Sequence, residues 1–203
     1  MTEKKKYSIK CLEQKCETRA CHIRPTVNVT LSDLGRWTSQ NYVTQILPGL
    51  SLRFPEAEGQ TITIEAARIA LESDPEQTAC IFYHEESNAC KIRFSRPVSC
   101  MTYPLEYDGA KFVVSDKNCP GVGQGEITKD SLRESKELAE QEYRERLETV
   151  TALPGIYSLI VGQMMQQSAD AMKDLSEEDR QRLDEIMSKK SNGKDETEDS
   201  SED

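Results

Sequence analysis

The sequence predicts an α+β protein in which a small, irregular, cysteine-rich domain precedes a helical C-terminal extension and a disordered acidic tail. All seven cysteines fall within the first 125 of the 203 residues, together with ten of the twelve aromatic residues. Residues 1–125 contain 15 basic and 15 acidic side chains, whereas residues 126–203 contain 11 basic and 21 acidic ones. The net charge of −10 therefore belongs wholly to the second part. We expect the domain to span 1–125, the extension 126–190 and the tail 191–203.

Apolar residues are too scarce for a large core to hold this chain together by itself. They make up 36% of the sequence, a low share for a globular protein of this length. No apolar run approaches the roughly 20 residues that cross a bilayer. The basic residues 4–6 are not followed by the apolar stretch of a secretory signal. We therefore expect a cytoplasmic protein without a membrane partner, and the net negative charge also disfavours nucleic acid as a partner.

Strand and helix signals alternate irregularly in the first 125 residues. Alternating or β-rich runs predict short strands, at residues 27–30, 61–64, 78–83, 90–94 and 111–114. Two of these runs flank the polar residues 85–88, which predicts a hairpin at that point. Ser32 and Asp33 are expected to cap a helix over 34–46, with Trp37 on its apolar face.

Beyond residue 125 the composition favours helices. Residues 128–150 are rich in Glu, Lys, Arg, Leu and Ala and contain neither Gly nor Pro. The Pro-Gly pair at 154–155 is expected to end this helix, and the more apolar residues 156–173 predict a second one. A capping box predicts a third helix over about 176–189. The last residues, 191–203, are acidic and Ser-rich without apolar side chains, which predicts disorder.

The seven cysteines form two groups that suit metal ligation. The ligand candidates are Cys11, Cys16, Cys21 and the adjacent His22 in the first group, and Cys80, Cys90, Cys100 and Cys119 in the second. Thiolates are soft ligands for zinc and for iron–sulfur clusters, and imidazole binds both. Eight ligands are enough for two four-ligand sites, and the two groups are free to interleave in space. An odd number of cysteines in a reducing cytoplasm argues against a disulfide framework.

Prolines and glycines beside the cysteines favour ligation over simple burial. Pro97 precedes Cys100, and Pro120 follows Cys119 ahead of the glycine-rich residues 121–125. Such residues shape a loop and let its backbone approach a metal or a sulfide closely. The alternative is that the cysteines are buried and inert, since free cysteine is among the most buried residue types. Seven clustered cysteines make that alternative the weaker one.

The second group also carries a family resemblance. The matching positions are Cys80, Cys90, Arg96, Pro97, Cys100, Tyr103, Pro104 and the Cys119-Pro-Gly triplet. With the cysteines near the N-terminus, this pattern resembles the YkgJ-like cysteine-cluster proteins, which are described as zinc- or iron-chelating. The resemblance covers roughly residues 7–125 and implies that all seven cysteines are ligands. The family's first cluster usually ends in two adjacent cysteines, and His22 stands here in place of the second. Related clusters occur in flagellin lysine methylases.

Other residues near the cysteines have simpler explanations than metal ligation. His84 follows Cys80 by four residues and is an alternative ligand, but such a histidine is more often a residue at the end of a hairpin. Arg93 and Arg96 either stabilise thiolate charge or an anionic partner near the cysteines, or they are surface residues or members of fold-stabilising pairs. Residues 121–125 lack the Gly-Lys-Ser/Thr ending of a P-loop, so we expect them to form a turn beside the last cysteine rather than to bind a nucleotide.

The sequence thus predicts an accessory metalloprotein with one or two cysteine-ligated sites. An iron–sulfur cluster is favoured over zinc, because the close Cys-x2-Cys pairs of structural zinc modules are absent. The expected role is cluster handling, electron transfer or assembly, with a protein partner bound through the C-terminal helices. The competing hypothesis is an iron–sulfur enzyme with redox or radical chemistry. The presence of only two histidines weakens this hypothesis, and such an enzyme also needs a substrate pocket with convergent polar groups.

Overall fold

The computed structural model of the protein confirms the α+β class and the helical C-terminal part. It describes residues 9–12, 15–16, 22, 24–124, 128–179, 181–182 and 185–186. Cys21 and the acidic tail expected at 191–203 lie outside these residues. The chain divides into two compact units, Met1–Pro154 and Gly155–Asp203. The boundary expected near residue 125 therefore falls inside the first unit.

A three-stranded antiparallel sheet contributes much of the apolar core of the first unit. Its strands are β1 (Asn28–Val29), β2 (Leu50–Arg53) and β3 (Thr63–Ala66), in the spatial order β1-β3-β2. Apolar and polar side chains alternate along β3, so that one face of the strand is buried. Val29 pairs with Ile64, and both are buried. The first two strands expected from the sequence are therefore present as β1 and β3.

Two helices replace the single helix expected over 34–46. The helical segments are α1 (Leu31–Ser39), α2 (Val43–Ile46) and the 3₁₀ turn Leu47–Gly49. The expected cap at Ser32 and Asp33 is wrong by two positions, because Thr30 is the capping residue and accepts the amide hydrogen of Asp33. Asp33 is the reciprocal partner of this capping box. The helix ends early because Asn41 takes a left-handed conformation with φ of 59°.

Three two-stranded ladders follow, and two of them end in a cysteine. The pairs are β4 (Arg68–Ala70) with β5 (Thr78–Cys80), β6 (Tyr83–His84) with β7 (Ala89–Cys90), and β8 (Leu105–Tyr107) with β9 (Phe112–Val114). A 3₁₀ turn, Arg93–Ser95, and helix α3 (Val98–Thr102) lie between β7 and β8. The hairpin around 85–88 and the strand near 111–114 are confirmed. The run 78–83 is not one strand, because β5 and β6 each pair with a different neighbour.

Helix α4 (Lys129–Lys173) runs for 45 residues and passes through Pro154, so the helix break expected there is wrong. A proline removes one backbone hydrogen bond and costs about 3 kcal/mol in a helix interior. Favourable helical segments on both sides offset this cost. Before the proline, Thr149 and Leu153 are buried in the first unit. After it, residues 155–173 contain three Met, three Gln and two Ala, which are good helix formers, and only two glycines.

The first half of α4 is part of the core of the first unit. The hydroxyl of Thr149 accepts the amide hydrogen of Leu31 at 2.9 Å, at the start of α1. The hydroxyl of Thr30 donates to the carboxylate of Glu145 at 3.2 Å. Leu153 belongs to the main apolar cluster. These contacts explain why the first unit extends beyond residue 125, since α1 and α4 share buried polar and apolar partners.

The second unit exposes an apolar helical surface. Of residues 155–173, all are exposed except Val161, which is half-buried. The large apolar side chains among them are Ile156, Tyr157, Leu159, Ile160, Met164, Met165 and Met172. The expected cap of the third helix is present, because Ser176 Oγ accepts the amide hydrogen of Asp179. Among the described residues, no helix combines the length and the apolar character needed to cross a bilayer.

Removing residues 155–203 deletes only the second unit, so this shortened chain is expected to unfold cooperatively with nearly the stability of the full chain. Removing residues 128–203 also deletes Leu153 and Thr149. We expect the chain that lacks residues 128–203 to lose at least about 3 kcal/mol of unfolding free energy, the usual cost of losing one large buried side chain. Urea titration followed by the fluorescence of Trp37, the single tryptophan, measures both values. Equal stability of the two shortened chains would contradict the packing of α4 in the core.

Candidate metal centre

Six cysteines that are far apart in the sequence line one cavity in the first unit, which we call the cysteine cavity. Its volume is about 470 Å³. The cysteines are Cys11, Cys16, Cys80, Cys90, Cys100 and Cys119, and all six are free thiols. His22 lines the cavity as well. Of the eight predicted ligands, Cys21 lies outside the described residues. The other seven, from both groups, thus meet at one place.

Short secondary-structure elements position the cysteines of the second group. Cys80 is the last residue of β5 and Cys90 the last residue of β7. The amide of Lys91 donates to the carbonyl of Phe82 at 2.7 Å, which keeps the segments after the two strands side by side. Cys100 lies within the short helix α3. Because each thiol belongs to a brief, well-bonded element, the turns that follow direct it toward the shared cavity.

A glycine lets the N-terminal segment approach the last cysteine. The amide of Lys10 donates to the carbonyl of Gly121 at 2.9 Å. A Cβ atom at Gly121 would lie 2.2 Å from the carbonyl oxygen of Lys10, so any other residue here would push the segment away. The amide of Val122 donates to the carbonyl of Cys119 at 2.9 Å and closes the turn that was expected beside this cysteine. Cys11 is thereby held close to the loop of Cys119.

Backbone amides donate to three of the sulfur atoms, and each donor lies two residues after its cysteine. The three pairs are Phe82 with Cys80, Ile92 with Cys90, and Gly121 with Cys119. An amide donor stabilises the charged thiolate relative to the neutral thiol and so lowers the thiol pKa. Hydrogen bonds to sulfur also orient thiolate ligands and tune the metal that they hold. The turns after these cysteines are therefore suited to negative charge on sulfur.

Burial opposes this effect in the metal-free protein. It raises the pKa of Cys80 to about 11, and the nearby Cys100 and Cys90 thiols act in the same direction. Burial is also the main cause that raises the pKa of Cys90 and of Cys100. The electrostatic coupling between these three groups reflects their closeness. Each is a neutral thiol at physiological pH, and ligation of a metal has to displace its proton.

Arg24, which sequence reasoning did not single out, contacts Cys100 directly. Its Nη2 atom donates to the sulfur at 3.1 Å, and its Nη1 atom donates to the carbonyl of Ser99 at 3.2 Å. The guanidinium also lies 5.1 Å from the ring centroid of Tyr103, a cation–π distance. No sequence pattern around residue 24 indicates this contact, because Cys100 lies 76 residues away in the sequence.

Two further arginines, Arg93 and Arg96, line the cysteine cavity. Burial raises the pKa of Cys90, and the charges of both arginines lower it. This placement agrees with the first of the two explanations considered from the sequence, the stabilisation of thiolate charge. Together with Arg24, three guanidinium groups lie near the sulfur atoms, where they would offset negative charge on a thiolate.

Helix α1 holds the loop that leads into α3. Three of its side chains bond to the backbone of residues 95–98, those of Asp33, Arg36 and Trp37. The buried carboxylate of Asp33 accepts the amide hydrogen of Val98 at 3.0 Å. The guanidinium of Arg36 and the indole of Trp37 donate to loop carbonyls at 2.9 Å and 2.5 Å. This loop is the Arg-Pro-x2-Cys stretch of the family resemblance, and its anchors lie about 60 residues earlier in the chain.

The two histidines take different places. His22 lines the cysteine cavity, and its ring stacks on that of Tyr83 with 4.5 Å between the centroids. His84 is not among the described residues that line this cavity. Its Nδ1 atom lies 2.7 Å from the hydroxyl of Ser87 in the hairpin turn. His84 therefore occupies the hairpin position expected for it, and His22 is the histidine that stays close to the thiols.

The cysteine cavity is not a finished single-ion site. Within the described ranges, no three His, Cys, Asp or Glu side chains converge closely enough to hold one metal ion. The donor set still fits a soft metal, because its sulfur atoms are free and its walls supply amide and guanidinium donors.

Comparison with known protein families, curated proteins and solved structures finds no match for this chain. The resemblance to the YkgJ-like proteins stays a prediction from the sequence. The function is accordingly inferred from the chemistry and geometry of the cysteine cavity.

Replacing Asp33 by Ala is expected to lower the free energy of unfolding by about 3 kcal/mol, because two amides and the Arg36 guanidinium lose a buried acceptor. Asp130 is a matched control, since it forms the same i,i+3 pair with Arg133 on an exposed surface. The Asp130→Ala variant is expected to lose less than about 1 kcal/mol. Urea denaturation of both variants measures the difference, and equal losses would show that Asp33 does not anchor the loop.

Proposed function

We propose that the protein holds one or two cysteine-ligated metal sites, iron–sulfur or zinc, and serves as an accessory protein in cluster handling, electron transfer or assembly. The observation that carries this proposal is the convergence of six free thiols on one cavity. Cysteines that only fill a core pack against apolar neighbours and are chemically inert. Cys80, Cys90 and Cys100 do pack in or against the apolar core. All six thiols also line a shared space whose walls contain arginines and amide donors.

The residues that would hold the metal come from both cysteine groups. They are Cys11, Cys16, Cys80, Cys90, Cys100 and Cys119, with Cys21 and His22 as further candidates from the sequence. Amides donate to three of these sulfurs and Arg24 donates to a fourth. A bound cation would replace the thiol protons and balance the charge that burial disfavours. The whole arrangement is therefore more favourable with metal than without it.

An iron–sulfur cluster is preferred to zinc for two reasons. The cavity of about 470 Å³ is larger than one ion with Zn–S bonds of about 2.3 Å requires. The repeated amide-to-sulfur hydrogen bonds are also of the kind that set the potential of a thiolate-held cluster. When bound, such a cluster supplies one-electron transfer. The chain's own contribution is to bind the cluster, offset its charge with arginines and limit its contact with water.

Zinc is the alternative, and His22 is the residue that favours it. Imidazole is an ordinary zinc ligand beside thiolates, whereas most clusters are held by cysteine alone. The ring of His22 lines the cavity and stacks on Tyr83, so its orientation is already restricted. In a zinc site, this imidazole and three of the cysteines would be the four ligands.

The C-terminal helix supports the accessory role. Residues 155–173 expose large apolar side chains along a helix with little burial of its own. Contiguous exposed apolar surface on a helix is typical of a surface that binds another protein. We therefore infer a protein partner for this helix, rather than a membrane or a nucleic acid. All candidate ligands precede residue 155, so metal binding and partner binding are assigned to different units.

Protein purified without oxygen is expected to be brown, to absorb near ~400 nm, where sulfide-to-iron charge transfer falls, and to bleach with dithionite. Replacing Cys80 or Cys100 by Ser is expected to remove most of the iron and the absorption. The His84→Ala variant and the chain lacking residues 155–203 serve as controls and are expected to keep both. Iron, sulfide and zinc are measured alongside each spectrum. Colourless protein with stoichiometric zinc and no sulfide would select the zinc alternative, and protein that binds neither metal would contradict the proposal.

Metal affinity is expected to rise with pH across the neutral range. Burial raises the pKa of Cys80 to about 11 and also raises those of Cys90 and Cys100, so protons compete with metal for these sulfurs at pH 7. Each thiol that ligates should weaken binding by about tenfold for every unit by which the pH falls. Competition with a zinc chelator at pH 6, 7 and 8 measures the slope. An affinity that does not change with pH would exclude these three thiols as ligands.

A further inference from the structure

Large apolar side chains follow one side of the helix in the second unit. They stand at positions i, i+3, i+7, i+8 and i+15 of a continuous α-helix, which places them on a common face. We call this set the apolar stripe, and its members are Tyr157, Ile160, Met164, Met165 and Met172. All five are exposed, with exposed fractions between 38% and 68%. The stripe is about 22 Å long, at 1.5 Å of rise per helical residue.

The area of the apolar stripe is large enough for a specific dimer. With the smaller Val161 and Ala171 on the same face, it exposes roughly 700 Å², more than the about 300–600 Å² of the largest apolar patch on a typical monomer. Pairing two identical stripes would remove roughly 1,400 Å² from water, and stable interfaces bury about 1,200–2,000 Å². A second copy of the stripe is therefore a sufficient partner without any contribution from the first unit.

The absence of charge around the apolar stripe favours a second copy of the chain over a different protein. The net charge of −10 makes two copies repel each other wherever their acidic surfaces meet. Residues 149–169, however, contain no Asp, Glu, Lys, Arg or His. The next two charged residues, Asp170 and Lys173, form an ion pair with each other at 2.9 Å. Two copies that meet along this stretch bring no like charges together, and a different partner finds no charge by which it is selected.

The exposed leucines in the first half of α4 lack this combination of features. Leu147 is 52% exposed, almost the same as Ile160 at 53%. Its neighbours in the chain are Arg146 and Glu148, and a single exposed apolar side chain among charges is ordinary on a protein surface. The continuity of the stripe and its uncharged surroundings, rather than exposure alone, distinguish the second unit.

We propose that the apolar stripe is a dimer interface and that it packs against the same stripe of a second copy of this chain. A two-fold symmetric interface has to complement itself, and an uncharged apolar surface meets that condition. The proposal rests on the assignment of the second unit to a protein partner under the proposed function, and it specifies that partner. It does not require metal, because all seven cysteines precede residue 125. One dimer would carry two cysteine cavities, one in each copy.

Sedimentation equilibrium of the full chain, run in parallel with and without a thiol reductant and a metal chelator, tests the proposal. Between about 1 and 100 µM the chain is expected to shift from monomer to dimer in both series, since interfaces of this size bind with micromolar or tighter affinity. The Ile160→Glu variant is expected to raise the dissociation constant at least about a hundredfold, because two like charges would be desolvated in one interface. Met164→Glu, one turn further along, is expected to have the same effect.

Leu147→Glu is the matched control, since it changes an equally exposed apolar residue of the same helix outside the stripe. It is expected to leave the dissociation constant unchanged, and far-ultraviolet circular dichroism checks that each variant keeps its helix content. Three results would overturn the proposal. They are a full chain that stays monomeric, whether or not it binds another protein or phospholipid vesicles, equal effects of Ile160→Glu and Leu147→Glu, and a dimer that persists in the chain lacking residues 155–203.

Metal content measured on each sample separates this proposal from the metal centre. A monomeric chain that holds metal would count against the dimer alone. A dimeric chain that binds neither iron nor zinc would count against the metal centre alone, because the stripe and the candidate ligands belong to different units.

Discussion

The buried carboxylate of Asp33 joins helix α1 and its cap to the start of helix α3. It accepts the amide hydrogens of Thr30 at 3.1 Å and of Val98 at 3.0 Å, and it pairs with Arg36 at 2.5 Å. A buried charge is tolerated only when its oxygens are fully used, because desolvation costs several kcal/mol. The contacts of this one group cap helix α1 and anchor the loop that leads into α3, the helix that contains Cys100. The shape of the cysteine cavity depends on that anchor.

The cysteine cavity combines short-range and long-range contacts. The amide-to-sulfur bonds of Cys80, Cys90 and Cys119 span two residues each and form wherever the turn forms. These turns come together in space only through long-range contacts, such as the close packing of Gly121 against Lys10. Under the proposed function, ligation would join segments whose apolar packing is modest. This agrees with the low apolar share of 36% in the chain.

The first half of helix α4 contributes both apolar and polar contacts to the first unit. Thr149 accepts the amide hydrogen of Leu31 beside the cap of α1, and Leu153 enters the apolar cluster. One turn or two before them, Arg146 Nε donates to the buried carboxylate of Glu142 at 3.0 Å. The same stretch of helix therefore stabilises the cap that Asp33 completes and contributes a buried, ion-paired carboxylate to the first unit. The exposed apolar helix of the second unit takes no part in this and is assigned to a partner.

By itself, the sequence determined the α+β class, the short strands near residues 28 and 112, the hairpin at 85–88 and the cap at Ser176. These features follow from residues that are neighbours in the chain, since periodicity, turn residues and caps act over a few positions. It also identified the cysteines as one chemical set. Only the tertiary structure decided that six of them share a cavity, that α4 continues through Pro154, and that distant Arg24 bonds to Cys100. Those outcomes depend on contacts across as many as 118 residues and on packing free energy that local propensity does not contain.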